Sequence, residues 1–248
     1  MARRATAIDN QRAANANVLL VDSGSTLLGD DLANRTQGKI VMEAMSKLGY
    51  AAMAVGASDL AQGREVLLAR AKEATFPVVS ANLLDAASQQ LLLPPYAIVE
   101  MEGRKIAIVG LTSPDEMRAD QQLDLTVGDP MAAARSTIAE LKDRASVVIV
   151  LSRLDSDLNR RLASEVPGVA AVVGGRAYMP DGRVWVAPET GTVVVNPGSR
   201  GEHLGVLRLH LDGQGKPMSA TWEPIRLSNA IAADPDLQAL VDRYAGQQ

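Results

Sequence analysis

The sequence predicts an α/β fold in which two sheets pack face to face between outer layers of helix. Three observations carry this. Short β-branched or aliphatic runs alternate with helix-period segments over most of the chain, the pattern of βα units whose strands are buried on both faces. Two later stretches instead place turn residues between paired apolar runs, as antiparallel hairpins do. The 248 residues, 47% of them hydrophobic, are enough for one large core. Mixed βα units with late hairpins suggest a two-sheet sandwich flanked by helices, in layer order αββα.

In chain order, the runs at 18–22, 51–55, 77–81, 146–151 and 169–173 read as strands, and the segments near 38–48, 60–74, 131–144 and 157–166 as helices between them. YAIVEMEGRKIAIVGLTS holds Glu102 and Gly103 between two apolar runs and predicts a hairpin. RVWVAPETGTVVVNPGS predicts another, and LGVLRLHLDGQGKPMSATWEPIRL a third that turns over 212–216. DPDLQALVDRYAG predicts a terminal helix with Asp234 at its N-cap and Gly246 past its end. No internal repeat, low-complexity tract or linker precedes it. Residues 1–230 therefore read as one domain and 231–248 as a C-terminal helix.

The 25 basic and 29 acidic side chains give a formal charge of -4 with no lysine-arginine block, so nucleic acid is not an expected partner. Cysteine is absent, which removes disulfides, thiolate metal sites and cysteine nucleophiles and leaves the compartment undetermined. Only His203 and His210 could supply imidazole, and seven positions apart in a strand they fall on opposite faces. The longest apolar runs are strand-sized, so no transmembrane segment is expected. The start MARRATAID has no apolar stretch after it, so no export signal is expected in the chain as written.

In open α/β sheets the functional loops leave the carboxyl ends of strands. Here those loops read DSGST, VGASD, LSRLD and VGGRAY. Small residues there allow close backbone approach to a ligand and are also ordinary turn chemistry. Ser25 and Ser152 stand in such loops, but neither lies in a Gly-x-Ser-x-Gly elbow with a histidine at hand.

The order of ARRATAI, VLLVDSGSTLLG, VMEAMSKLGYAAMAVGASDL, FPVVSANL, GRKIAIVGLTSPD, VVIVLSRL, VPGVAAVVGG and DPDLQALVDRY resembles the calcineurin-like metallophosphoesterase domain of 5'-nucleotidases and 2',3'-cyclic-nucleotide phosphodiesterases, a family mostly periplasmic or extracellular. The resemblance covers nearly the whole chain and makes the last helix similar to the family's interdomain helix. It implies a di-metal site assembled from Asp-x-His, Gly-Asp, Gly-Asn-His-Asp/Glu, a strand-end histidine and Gly-His-x-His. This chain departs at each tip. Asp-x-His has no counterpart, because the chain begins at what resembles the family's first helix. Ser25 follows Gly24 where the bridging aspartate is implied, Ala57 and Ser58 replace Asn-His before Asp59, Arg153 replaces the strand-end histidine, and Arg176 and Tyr178 replace the last two.

The resemblance therefore implies vestigial positions at Asp22, Ser25, Ser58, Asp59, Arg153, Arg176 and Tyr178, with no catalytic residue, no metal ligand and no cofactor. A guanidinium and a divalent cation about 4 Å apart repel by roughly 8 kcal/mol at an effective dielectric near 20. One reading has Arg153 and Arg176 fill the metals' volume and pair with Asp22, Asp59 or Asp155. Another has them form an anion pocket with Ser25 and Ser58 that binds phosphate or a nucleotide without metal. A third keeps an altered phosphohydrolase with one metal on Asp22, Asp59 and Asp155. Tyr178 and Trp185 are read as packing residues. The first reading leads, as a catalytically degenerate domain acting as a structural or protein-interaction module, with a protein partner or larger assembly expected. A first strand missing from the sheet would leave an edge or gap inviting a partner segment.

Overall fold

A computed structural model describes residues 1–116, 124–176 and 183–246. Helix α1 (Ala2–Ala14) leads to β1 (Val21–Asp22), α2 (Asp31–Arg35), α3 (Lys39–Lys47), β2 (Ala52–Ala54), a 3-10 turn at Ala57–Leu60, α4 (Arg64–Glu73) and β3 (Val78–Val79). There follow β4 (Leu83–Asp85), β5 (Tyr96–Met101), β6 (Arg104–Leu111), β7 (Leu125–Val127), α5 (Pro130–Leu141), β8 (Val147–Ser152), α6 (Ser156–Glu165) and β9 (Ala171–Gly174). The chain continues with β10 (Trp185–Val186), β11 (Val193–Val195), β12 (His203–Leu211), β13 (Pro217–Arg226) and α7 (Pro235–Ala245).

The layers are those the sequence predicts. One sheet runs β1-β2-β3, all parallel, and the other β10-β11-β9-β8-β6-β5, parallel within and antiparallel at both edges. Two-residue alternation sorts the side chains. Ala52, Ala54, Ile108 and Leu151 pack between the sheets. Met53 and Val78 face α1, α3, α4 and α7, whereas Val109, Val148 and Val150 face α5 and α6. Alanine at 52 and 54 and glycine at 110 let the sheets approach closely. A Cβ on Gly110 would lie 2.2 Å from the Val79 carbonyl oxygen. Gly110→Ala is therefore expected to cost about 1–3 kcal/mol, as overpacked cores do, read as a lower urea midpoint at unchanged slope.

Helix starts follow local chemistry. The side chains of Asp129, Asp155 and Asp234 accept N–H bonds from the first turns of α5, α6 and α7, with Pro130 and Pro235 at first helical positions where a missing N–H costs nothing. The helix expected over 60–74 starts only at Arg64, because 57–60 form the 3-10 turn. Of the strand expected over 18–22 only Val21 and Asp22 pair, since β1 has a neighbour on one side alone. His203 opens β12, which also carries His210. The sequence reading missed α2 and the β4–β7 pair. Helix α7 buries Leu237 and Leu240 in the same cluster as α1 and α3. Among the described residues no helix is long and apolar enough to cross a membrane.

Candidate functional site

The loops after β1, β2, β8 and β9 converge at one end of the sandwich, as expected from strands that share a direction. Their organiser on one side is Asp59. Its carboxylate accepts the backbone N–H groups of Ser25 and Gly56 on Oδ2, at 2.7 and 2.8 Å, and those of Thr26 and Leu27 on Oδ1, at 2.8 and 2.7 Å. Three of these bonds hold the 24–27 loop in place, with Ser25 at a φ of 59°, an unusual conformation for a residue with a Cβ. Burial pushes the Asp59 carboxyl up to about 6, against the pull of N–H donors from Gly56, Leu27 and Ser25. Asp22 accepts from Gly24 N–H and from the Thr26 hydroxyl.

At the centre lies the guanidinium of Arg153, its side chain only 8% exposed. Every nitrogen is engaged. Nε and Nη2 donate to the two oxygens of Glu116 at 3.0 and 2.5 Å, and Nη1 donates to the carbonyls of Gly24 and Gly175 at 3.2 and 2.6 Å. A planar fork on a planar carboxylate is the geometry in which an arginine pair is strongest. Two glycines make room for it: a Cβ on Gly56 would fall 2.9 Å from Arg153 Nε, and one on Gly175 would fall 2.6 Å from Nη1. Arg176, 33% exposed, donates to the Ser113 hydroxyl at 3.3 Å and lies 3.8 Å from Asp115 and 4.0 Å from Glu116. The Ser58 hydroxyl is buried and has no hydrogen-bond partner among the described residues.

Asp22, Ser25, Ser58, Asp59, Arg153 and Arg176 thus gather at one end, while Tyr178 lies outside the described residues. The expected arginine partners are corrected. Neither Asp22, Asp59 nor Asp155 pairs with Arg153; Glu116 does. Asp155 caps α6 through Leu158 N–H, and Asp59 is saturated by backbone donors. Sequence reasoning missed Glu116 although it follows a strand end in the same way, in GLTSPDE after β6. Trp185 packs against the α5–α6 cluster, with the Arg160 guanidinium 5.8 Å from its ring.

Among the described residues the donor set does not suit a metal pair. Among the described residues no three of His, Cys, Asp and Glu come close enough to hold an ion. The single-metal arrangement on Asp22, Asp59 and Asp155 does not form, because Asp155 is a helix cap and both Asp59 oxygens face N–H groups. The point where the loops meet is filled by a cation.

The chain is similar to 5'-nucleotidases. It is 28% identical over 267 residues to that of Bos taurus, covering 98% of this chain and 46% of the bovine protein. It is 32% identical over 193 residues to that of Vibrio cholerae, covering 74% and 34%. The crystal structure of a 5'-nucleotidase precursor from Thermus thermophilus superposes with a TM-score of 0.86 at 27% identity, over 98% of this chain and 52% of that one. The chain spans about half the length of the bovine relative and of that structure. No family model matches it.

Proposed function

Because the chain belongs to the 5'-nucleotidase family of calcineurin-like phosphoesterases, we propose that its domain has exchanged hydrolysis for a structural or protein-interaction role within a larger assembly. The observation that carries this is the Arg153–Glu116 pair at the meeting point of the strand-end loops. A di-metal hydrolase needs anionic and imidazole ligands around two ions that activate water and clamp the phosphoryl oxygens. Here the Glu116 carboxylate at the centre is already bound to a guanidinium, and both Asp59 oxygens are spent on backbone N–H groups. Neither of these two carboxylates is left free to deprotonate or position a water.

The test is metal content after incubation with excess manganese or zinc and desalting, with hydrolysis of nucleoside monophosphates assayed in parallel. No retained metal and no dication-dependent turnover are expected. A pair of ions retained per chain, with turnover, would overturn the reading.

A second reading, a metal-free binder of phosphate or nucleotide, narrows from two arginines to one. Arg153 has four of its five N–H donors engaged and is buried, whereas Arg176 is partly exposed. Glu116 and Asp115 offset its charge, so inorganic phosphate titrated without metal is expected to show no saturable binding below the millimolar range. Tighter binding, lost in Arg176→Ala and weakened by salt, would move the conclusion to the binder.

A further inference from the structure

Strand β5 is the outer strand of the six-stranded sheet, with β6 as its one ladder partner among the described residues. It runs for six residues without a bulge, whereas β10 at the opposite edge has two. Glu102 and Gly103, at φ of 50° and 72°, make the two-residue turn that joins Met101 to Arg104, and such a turn closes on a hydrogen-bonded pair. Bonded pairs recur at every second residue, through Val99–Ile106 and Ala97–Ile108 to the far end, where Gly110 N–H donates to the Pro95 carbonyl. The N–H and C=O groups of Tyr96, Ile98 and Glu100 are thereby left pointing out of the sheet edge. Ile98 is 36% exposed, and Glu100 is the only charge on the strand. Native edges are commonly blunted by lysine, proline or bulges, and between Tyr96 and Met101 this one has none. None of Tyr96, Ile98 and Glu100 lines the cavity beside residues 19–22 and β12, so this edge is independent of whatever fills that cavity.

We infer that β5 pairs with β5 of a second copy of this chain, antiparallel about a two-fold axis through Ile98, so that two six-stranded sheets become one continuous sheet. A two-fold contact is self-complementary, and this one sets Ile98 opposite Ile98 and Tyr96 opposite Glu100 in both senses. Each of these pairs exchanges both main-chain bonds, because these are the residues whose groups face outward. Side chains select the register. The Arg144 guanidinium lies 5.3 Å from the Tyr96 ring and is held by Glu140. Glu100 of the other copy is therefore set against a cation, and the Lys105 beside it in its own sheet leaves each end of the ladder neutral. Sliding by two residues puts Pro94, which has no N–H, or the turn residue Glu102 opposite an end of the ladder, and sliding by four in one direction opposes Glu100 with Glu100. Helices do not obstruct the pairing. Helix α5 packs over β6, and from β6 to the β6 of the other copy is three strand spacings, about 14 Å. Packed helices need roughly 8–10 Å, so the two α5 helices clear each other and leave a groove lined by the paired Ile98 side chains. Pairing of this kind rests on the interaction half of the proposed function and is independent of metal content, so either can fail alone.

Sedimentation of the 248-residue chain across a dilution series, with amide exchange measured at both ends of the series, tests the pairing. A reversible monomer–dimer equilibrium is expected. On concentration, exchange within β5 should slow at Tyr96, Ile98 and Glu100, while Ala97, Val99 and Met101 are protected throughout because they already donate to β6. Ile98→Lys, at an exposed position, is expected to weaken dimerisation at least about tenfold. Glu100→Arg is expected to weaken it as well, and Glu100→Arg/Arg144→Glu to restore it, which a merely destabilised edge would not do. A chain still monomeric at about 1 mM, where any tighter Kd populates the dimer, would overturn the inference. So would a dimer that Ile98→Lys leaves intact, no recovery in the charge-swapped variant, or protection that falls at 19–22 and 203–211 instead.

Discussion

Replacing Glu116 with alanine is expected to destabilise the domain by about 3–5 kcal/mol, the usual cost of removing one partner of a buried ion pair. Arg153 would remain in place, held by the Gly24 and Gly175 carbonyls, with no carboxylate to balance it and with Arg176 nearby. The loss comes from stranding the charge rather than from the worth of the pair. The double variant Arg153→Met/Glu116→Leu should therefore recover at least half of it, leaving mainly two carbonyls without their donor. Urea unfolding of Arg153→Met, Glu116→Leu and the double closes the cycle, and a coupling near zero would show that the pair is not a unit. The same substitution should change binding. With Glu116 gone Arg153 has no carboxylate partner and Arg176 keeps only Asp115, so phosphate affinity is expected to rise in Glu116→Ala and to fall with added salt. Unchanged phosphate binding would mean that Arg176 is turned away from the cleft or fully satisfied by Asp115.

What the sequence made legible was whatever a short window encodes. VVIVLS reads as a buried strand because six consecutive residues carry the pattern, and Asp234 reads as a cap because its partner Leu237 is three positions on. The four loops gather because strands sharing a direction bring their carboxyl ends together. Long-range partnership leaves no such mark. Arg153 and Glu116 are 37 positions apart, and neither VLSRL nor SPDE announces the other. Strand β4 finds β7 across 40 residues through three weakly patterned positions each. The expected pairing of Arg153 with an aspartate assumed that the acids named by the loop motifs were free. Asp59 had four backbone donors to satisfy first, and Asp155 stood before SDLN, where an N-cap was the available reading. Residues 18–22 show the reverse limit: a strand pattern is present, but ladder bonds require a neighbour, and on one side the neighbour is a cavity.

Asp59→Ala is expected to cost on the order of 4 kcal/mol at neutral pH. Four N–H groups lose their acceptor, at about 1–3 kcal/mol for each that stays buried, and part of this is offset because the variant no longer buries a charge. The offset can be read from the carboxyl itself. Its folded value of about 6 stands above the ordinary 3.8 because burial outweighs the N–H donors, a difference worth about 3 kcal/mol between the protonated and ionised forms. For a carboxyl raised on folding, the native state binds the extra proton, so its contribution is fully present below about pH 3.8 and is lost as pH rises through about 6. Carboxylates such as Asp85, Glu165 and Asp212 are shifted the other way, Asp85 and Asp212 chiefly by backbone N–H donors and Glu165 chiefly by Arg161. Their contributions change below the ordinary carboxyl range, leaving the interval from about pH 4.5 to 6.5 to Asp59. Across that interval the wild-type melting temperature should fall, and that of Asp59→Asn should stay level, starting lower because one oxygen has become an NH₂ that faces two N–H donors. A wild-type curve that rises through the interval would mean that the four donors outweigh burial. Asp59 would then be an anchored carboxylate that stabilises the 24–27 loop more as pH increases.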